Sequence, residues 1–286
     1  MRVVREHDVQ RFLGLVGPHL RERPAENNLV LGLLGDLARA GGIPGRQTKP
    51  GNVDPVLLAV EGAHGIEGIA LQTPPRALVV SRMPNDATEA LVEFVLSAEV
   101  SIPGISGPDA TAERFASRWE ARTGRACVLR MRQTIHELMG VHPPAPVAGA
   151  LREATADDDT TLGHWLQGFE RETRIDPIGD HLDFVRGKRA ARQLFLWGND
   201  PPLSLAAWQG RTEQGVRVSY VYTPPAERKK GYASAVVAAL SQRLLDEGNP
   251  RCFLFTNADN ATSNKIYRSL GYEPVSDFRL FDFLRA

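Results

Sequence analysis

A short turn between a strand and a helix constrains the fold of this chain more than any other feature. The turn reads R-x-x-G-x-A over Arg228–Ala233. Before it, apolar and polar residues alternate over Gly215–Thr223, which predicts a half-buried strand, and Pro224–Pro225 ends that strand because proline has no N–H for a ladder. After it, apolar residues recur at helical spacing up to Gly248. A turn of small residues at a helix N-terminus leaves N–H donors free, so it suits an anion.

The alternation in the strand predicts which side chains share a face. A period of two places these residues on one face: Val216, Val218, Tyr220 and Tyr222. The opposite face then receives Arg217, Ser219 and Val221.

A second pattern lies downstream of the predicted helix. Arg251–Thr256 is short, apolar and rich in β-prone residues, which predicts a buried strand. Asn257–Tyr272 then offers N-cap oxygens at its start and Gly271 as a left-handed stop, so a helix of about two to three turns fits between them. In that helix Ser263 and Tyr267 share one face because they are four residues apart.

The two patterns together resemble the acetyl-CoA-binding core of the GNAT acetyltransferase superfamily, over Leu151–Ala286. That family carries Q/R-x-x-G-x-G/A at the turn and N-x-x-A/S-x-x-x-Y…G-F/Y at the later helix. The second signature matches this sequence at Asn260, Ser263, Tyr267, Gly271 and Tyr272. The resemblance implies an α/β fold with a mixed sheet, the acyl-CoA N-acyltransferase fold.

The resemblance also implies acetyl-CoA as co-substrate and assigns residues to it. The N–H groups of Lys229–Ser234 are expected to bind the pyrophosphate, and the strand end is expected to run beside the pantetheine arm. The implied cofactor-binding residues are Val221, Tyr222, Thr223, Arg228, Lys229, Lys230, Gly231, Tyr232, Ala233, Ser234, Asn260, Ser263 and Tyr267.

Tyr267 is the implied general acid, which protonates the departing thiolate; a tyrosine with a pKa of about 10 is protonated at neutral pH. The acceptor amine must lose a proton, so a general base is needed. Glu170 and Glu172 are the candidates, because in GNAT folds the first helical region borders the acceptor cleft. Both also fit solvated helix charges, and the base stays open. Backbone N–H groups near Val221 are expected to polarise the thioester carbonyl.

The composition narrows the class of partner. The chain has 34 basic and 34 acidic residues and no formal net charge, which argues against nucleic acid. Cys127 and Cys252 lack metal-site spacing, and hydrolase and Walker motifs are absent, so we expect no metal. Without an apolar run of membrane-spanning length or a signal-like N-terminus, we expect a cytoplasmic protein that does not bind membranes.

A Pro-rich break over Gly140–Pro146 divides the chain, and its proline density predicts an extended linker. We therefore predict a domain over residues 1–140, a linker over 141–148 and a second domain over 149–286. The two halves are weak copies of each other, which indicates a tandem arrangement. The predicted hairpin of Val56–Val60 with Ile66–Leu71 parallels Gln193–Trp197 with Ser204–Trp208.

The first copy lacks the residues that carry the resemblance. Met83–Thr88 precedes the predicted helix Glu89–Leu96 without an R-x-x-G-x-A turn. In the helix that starts at Asp109, the tyrosine position falls on Ala116, or on Phe115 after a shift by one, and neither can donate a proton. The first half is thus predicted to be a degenerate GNAT-like domain; the alternative is two unrelated α/β segments.

The sequence predicts an acetyl-CoA-dependent N-acetyltransferase that acts on a primary amine by direct attack. The alternative is a non-catalytic acyl-CoA sensor or scaffold, and the intact turn and tyrosine favour the enzyme. The acceptor, a small-molecule or peptide amine, the acyl-chain length and the oligomeric state stay open.

Overall fold

The computed structural model describes residues 1–39 and 54–284, which form two compact units. The first unit comprises the described residues up to Ile135, together with Phe255–Asn260 and those from Pro274 onward. The second unit comprises His136–Leu254 and Ala261–Glu273.

The first half of the chain forms β1 (Arg2–Glu6), α1 (Val9–Arg21), α2 (Asn28–Arg39), β2 (Val56–Gly62), β3 (Gly65–Gln72), β4 (Leu78–Val80), α3 (Asn85–Ser97), β5 (Gly104–Pro108), α4 (Asp109–Thr123) and β6 (Cys127–Leu138). The second half forms β7 (Leu151–Glu153), α5 (Asp159–Thr173), α6 (His181–Ala190), β8 (Leu194–Trp197), β9 (Ser204–Thr212), β10 (Gly215–Tyr222), α7 (Tyr232–Asp246), β11 (Cys252–Asn257), α8 (Ala261–Ser269) and β12 (Glu273–Phe283). Both halves follow the order β-α-α-β-β-β-α-β-α-β, so the predicted repeat is confirmed.

The strands of the first unit include one from the end of the chain. Their order begins β1-β2-β3-β4-β5-β12, with β4 and β5 parallel. β12 runs antiparallel to β5 and pairs Arg279 with Gly107 and Phe281 with Ile105. The buried Phe281 side chain joins the core that contains Ile105 and Phe115. The compact units therefore differ from the predicted domain boundaries, because a strand of the second half completes the first unit.

Alternation along β2 separates two cores in the first unit. Leu57 and Ala59 pack in the cluster that holds the apolar residues of α1 and α2. Leu58 and Val60 pack in the cluster that holds those of α3 and α4. The sheet thus has helices on both faces, which is why β2 is apolar at successive positions.

The second unit repeats this layering around the strands β7-β8-β9-β10-β11. Neighbouring strands are antiparallel except β10 and β11, which are parallel. Val216 and Val218 of β10 pack with α7, whereas Leu205 and Ala207 of β9 pack with α5 and α6.

The predicted strands and helices of the second half are present. α7 begins after Gly231 and ends before Gly248, and α8 ends before Gly271, as their sequence signals indicate. In the first half α3 starts at Asn85 rather than Glu89, because Pro84 supplies a backbone conformation suited to a helix start.

The Pro-rich segment contains neither helix nor strand over residues 141–146, and it packs within the second unit. The His142 N–H donates to the Leu270 carbonyl at 2.9 Å, and Trp197 Nε1 donates to the Ala148 carbonyl at 3.0 Å. Val141, residues 143–147, Trp197 and the adjoining face of α7 line an open groove of about 370 Å³. Among residues 1–39 and 54–284, no helix has the length and apolar character needed to cross a membrane.

Candidate active site

The site begins with a bulge in β10. Tyr220 has φ of 51°, and the register with β9 shifts between Ser219 and Tyr222. An extra residue in one strand reverses the side on which later side chains point. Tyr220 therefore packs against Phe169 and Phe184, with ring centroids 5.6 and 5.2 Å away, on the face of α5 and α6. The predicted placement of Tyr220 and Tyr222 on the face of Val216 is wrong for this reason.

The expectation of a half-buried strand is wrong as well, because β10 is covered on both faces. Arg217, predicted on the polar face, is only 7% exposed.

Tyr222, at the end of β10, is buried against α5. Its ring centroid lies 6.2 Å from that of Trp165, and its hydroxyl donates to Glu172 Oε1 at 3.4 Å. A Cβ atom on Gly168 would lie 2.5 Å from the Tyr222 hydroxyl oxygen, so the helix approaches this closely only because residue 168 has no side chain. Trp165, Gly168 and Glu172 occupy one face of α5. Sequence analysis did not identify Trp165 and Gly168 as site residues. Their spacing of three and four residues from one another and from Glu172 does indicate a shared helix face.

The environment keeps Tyr222 in its phenol form. Burial raises the pKa of Tyr222 above its ordinary value, and the Glu172 carboxylate raises it further. Thr223, the next residue, is also buried, and its Oγ1 lies 2.8 Å from Ser204 Oγ.

Arg228 fixes the turn to both neighbouring elements. Its Nε donates to the Thr223 carbonyl at 2.9 Å, and its Nη2 lies 2.8 Å from each carboxylate oxygen of Glu172. The structure thus brings Glu172, Tyr222, Thr223 and Arg228 into one network. Of the other predicted cations in the turn, Lys230 donates to Glu227 Oε2 at 3.0 Å, and Lys229 is exposed with φ of 64°.

The start of α7 presents free backbone donors. Gly231 has φ of 88° and no side chain caps the helix; the first intrahelical bond runs from the Ala235 N–H to the Gly231 carbonyl at 3.0 Å. The N–H groups of Tyr232, Ala233 and Ser234 therefore precede that ladder. A Cβ atom on Gly231 would meet Val147 Cγ1 at 2.9 Å, so only glycine fits the conformation and the space. This geometry fits a pyrophosphate group.

The pairing of β10 with β11 is restricted to the beginning of β10. In the part of the chain that the structure describes, Val216 pairs with Cys252 and Arg217 pairs with Phe253. The later residues of β10, which include Val221, extend past this pairing. The backbone N–H and C=O groups at such a strand end can form hydrogen bonds with an extended ligand.

Tyr267 lies on α8 and is half-buried beside Tyr272, with the ring centroids 6.0 Å apart and edge to face. Burial raises the pKa of Tyr267 to about 12, so its hydroxyl is protonated at neutral pH. Ser263 lies one turn earlier and is half-buried. Asn260 immediately precedes α8 and belongs to the first compact unit, where its N–H donates to the Asn257 carbonyl at 3.0 Å.

The two candidate bases have separate surroundings. Glu170 lies 2.7 Å from His181 Nε2 and accepts the Ile178 N–H at 3.3 Å, so it connects α5 to the start of α6. Glu172 belongs to the Arg228 network instead. No cluster of three or more potential metal-ligating His, Cys, Asp or Glu side chains occurs within the described residues.

The repeated order of elements, the parallel β10–β11 pair and the turn before α7 are arranged as in a tandem GNAT fold. Residues 199–279 match the family model described as FR47-like protein. No curated protein matches the chain in sequence.

Solved structures support the same fold assignment along the whole chain. A Drosophila protein aligns with 12% identity and a TM-score of 0.71 over 99% of this chain and 98% of that chain. A GCN5-related N-acetyltransferase from Sphaerobacter thermophilus aligns with 15% identity and a TM-score of 0.62 over 99% and 96%. A tandem GNAT protein from the clavulanic acid biosynthesis pathway aligns with 12% identity and a TM-score of 0.59 over 99% and 98%. The resemblance inferred from the sequence is confirmed at the level of the fold.

Proposed function

We propose that the chain is an acetyl-CoA-dependent N-acetyltransferase and that its second unit transfers the acetyl group to a primary amine. The observation that carries this proposal is the N-terminus of α7, which follows the end of β10. Gly231 is the residue before this helix, and no described side chain caps it. A helix N-terminus with free N–H groups favours a phosphate group.

In this proposal Lys229–Ser234 bind the pyrophosphate through their N–H groups, and Val221–Thr223 hold the pantetheine arm. When bound, acetyl-CoA supplies an activated acetyl group and a thiolate that must be protonated. Arg228 has both Glu172 oxygens within 2.8 Å, so we assign it to holding the turn rather than to neutralising the phosphate. Asn260 and Ser263 complete the proposed cofactor set.

Tyr267 is the proposed general acid, because its raised pKa keeps a proton available on the hydroxyl. For the general base we favour Glu170 over Glu172, since the latter has both oxygens engaged by Arg228. Residues 1–140 are proposed to be a GNAT-like domain without a catalytic role, joined by residues 141–148 to the catalytic domain 149–286.

Thermal unfolding with acetyl-CoA, CoA or ATP in excess tests the proposal. A ligand at one hundred times its Kd adds about 2.7 kcal/mol to the free energy of unfolding, which raises Tm. We expect acetyl-CoA and CoA to raise Tm and ATP, which has adenosine and phosphate groups but no pantetheine arm, to leave it unchanged. An absence of any shift with acetyl-CoA would overturn the proposal.

An assay of amine acetylation, in which the free thiol of released CoA is detected, distinguishes an enzyme from a non-catalytic acyl-CoA sensor. Stabilisation by acetyl-CoA without turnover of any amine in a broad panel would favour the acyl-CoA sensor.

A further inference from the structure

The first unit contains a polar cavity that the proposed acetyl transfer does not use. Its volume is about 360 Å³, and it lies between the beginning of α3 and the exposed side of α4. The lining residues are Asn85 and Thr88 of α3 and Glu113, Arg114, Ser117 and Arg118 of α4.

Arg114 is the central group of this cavity. It is half-buried, and the one hydrogen bond that it makes to a described residue runs from Nη2 to the Met83 carbonyl at 2.8 Å. Its Nε is shielded from water and has no hydrogen-bond partner, and no carboxylate within residues 1–39 and 54–284 pairs with it. A guanidinium carries five N–H donors, so Arg114 retains a full charge and unused donors toward the cavity.

Other lining groups add donors around Arg114. The Arg118 guanidinium pairs with Glu89 at 2.9 Å, and both side chains are exposed to water, so the pair is weak. The Asn85 carboxamide and the Ser117 hydroxyl make no hydrogen bond to any described residue, and each can turn toward a ligand. The Thr88 hydroxyl is already used, because it donates to the Pro84 carbonyl at 3.0 Å.

The negative charges near the cavity are neutralised or placed elsewhere. Glu113 lies 2.9 Å from Arg279 Nη1, and the same guanidinium lies 3.0 Å from Asp109. Asp86 accepts the Ala87 N–H at 3.0 Å, so a side chain already occupies part of the α3 terminus. The positive character of the cavity therefore comes from the arginine side chains rather than from the helix end.

We propose that this cavity binds the phosphate group of a small phosphorylated molecule, with Arg114 as its main ligand. Guanidinium groups bind phosphate oxygens through paired N–H donors, and Arg118, Ser117 and Asn85 add further donors. The volume exceeds that of a free phosphate ion, which leaves room for the organic part of a phosphate monoester. The site is independent of acetyl-CoA binding by the second unit.

A nuclear magnetic resonance titration of the full ¹⁵N-labelled chain with sodium phosphate, at constant ionic strength set by sodium chloride, tests this site. We expect saturable shifts of the Arg114 Nε–Hε signal and of the amides of Asn85 and Ser117. Arg114→Gln should abolish them. Arg122→Gln is the matched control, because Arg122 also lies on α4 but pairs with Glu93 away from the cavity. Shifts that fail to saturate, or that persist in Arg114→Gln, would overturn the proposal.

Arg118→Gln covers the case in which Arg114→Gln does not fold. It should weaken phosphate binding at least about threefold, because one charge-assisted bond is lost; unchanged binding would contradict the assignment. Glycerol 3-phosphate in place of inorganic phosphate separates a monoester site, which it should saturate at lower concentration, from a site for the free ion.

Signals from Lys229–Ser234 distinguish this inference from the proposed function in the same titration. Gly231→Val should leave the shifts around Arg114 intact. Shifts confined to the turn before α7 would overturn the second site and leave acetyl-CoA binding untouched.

Discussion

The two halves of the chain share one order of elements and differ at the connection between the third strand and the next helix. Nine residues (223–231) separate β10 from α7, whereas four (81–84) separate β4 from α3. The longer connection contains the Arg228 turn and ends on Gly231 in a left-handed conformation. The shorter one enters its helix directly after Pro84. The scaffold therefore tolerates either connection, and only the longer one reaches its helix through a left-handed residue without a side chain.

The short connection of the first half is closed by its own side chains. Arg82 pairs with the buried carboxylate of Glu26 at 2.5 Å. The Met83 N–H donates to Thr111 Oγ1 at 3.3 Å, and its carbonyl accepts from Arg114 at 2.8 Å. Backbone groups at this connection are bonded internally, while those at the start of α7 are available. On this scaffold a ligand site therefore forms where the fold leaves its own backbone hydrogen bonds unmade.

Gly231→Val closes the open connection and should change ligand binding more than any other variant considered. A Val at φ of 88° is strained, and its side chain would fill the space that Val147 borders. We expect the shift in Tm caused by acetyl-CoA to disappear. Gly248→Val is the matched control, because Gly248 has φ of 87° at the other end of α7 and open space around it. Equal loss of binding in both variants would show that backbone strain, rather than occlusion, is responsible.

The second prediction concerns the strand that the second half contributes to the first unit. Phe281→Ala removes a buried ring from that core, so the free energy of unfolding of the first unit should fall by about 3 kcal/mol. Denaturant unfolding followed by hydrogen exchange at Ile105–Gly107 measures it. Val275→Ala, at a residue of the same strand that is 47% exposed, should change stability by less than about 0.5 kcal/mol. Equal effects of the two variants would contradict the role of β12 in this core.

Tyr267→Phe should lower kcat about a hundredfold or more, equivalent to about 2.7 kcal/mol, with acetyl-CoA affinity retained. Tyr272→Phe is the control, since that hydroxyl lies 2.7 Å from Ser241 Oγ and supports stability only. An unchanged kcat in Tyr267→Phe would remove the general-acid assignment.

The pH dependence follows from the raised pKa of Tyr267. Because that pKa is about 12, deprotonation of Tyr267 should not lower kcat below about pH 11. A folded-state pKa above the unfolded value also stabilises the fold below about pH 10, and this stabilisation should disappear between pH 10 and 12. Tyr267→Phe should remove that part of the alkaline loss of stability.

The smallest expected effect is that of Glu172→Gln, which frees Arg228 from its ion pair. Because both side chains are about 40% exposed, we expect a loss below about 1 kcal/mol, seen as a KM for acetyl-CoA raised less than about fivefold with kcat retained. Glu170→Gln is the comparison, since we expect it to lower kcat. A fall in kcat confined to Glu172→Gln would make Glu172 the base.

The features predictable from the sequence are those with a local signal. The turn at Arg228–Ala233, the limits of α7 and α8 and the repeat all follow from spacing, glycine and proline. The bulge at Tyr220 has no such signal, because apolar and polar positions alternate through it without interruption. Its existence depends on pairing with β9, so the alternation alone predicts the wrong side for Tyr222.

Long-range partners were unpredictable for a related reason. Glu172 and Arg228 are 56 residues apart, and nothing local indicates that they pair. The sequence also does not indicate that β12 pairs with β5. Each half ends in a strand of similar character, and only the structure shows which strand each of them pairs with.

The position of β12 in the sequence affects the order in which the two units can fold during translation. Residues 274–283, which cover the edge of β5, are translated after the other residues of the first unit, so that unit must wait with an unpaired edge while the second half is synthesised. Exposed edges of this kind recruit other strands and promote aggregation. A fragment of residues 1–140 should therefore aggregate on its own. Adding a peptide that spans residues 274–284 should increase the yield of soluble fragment.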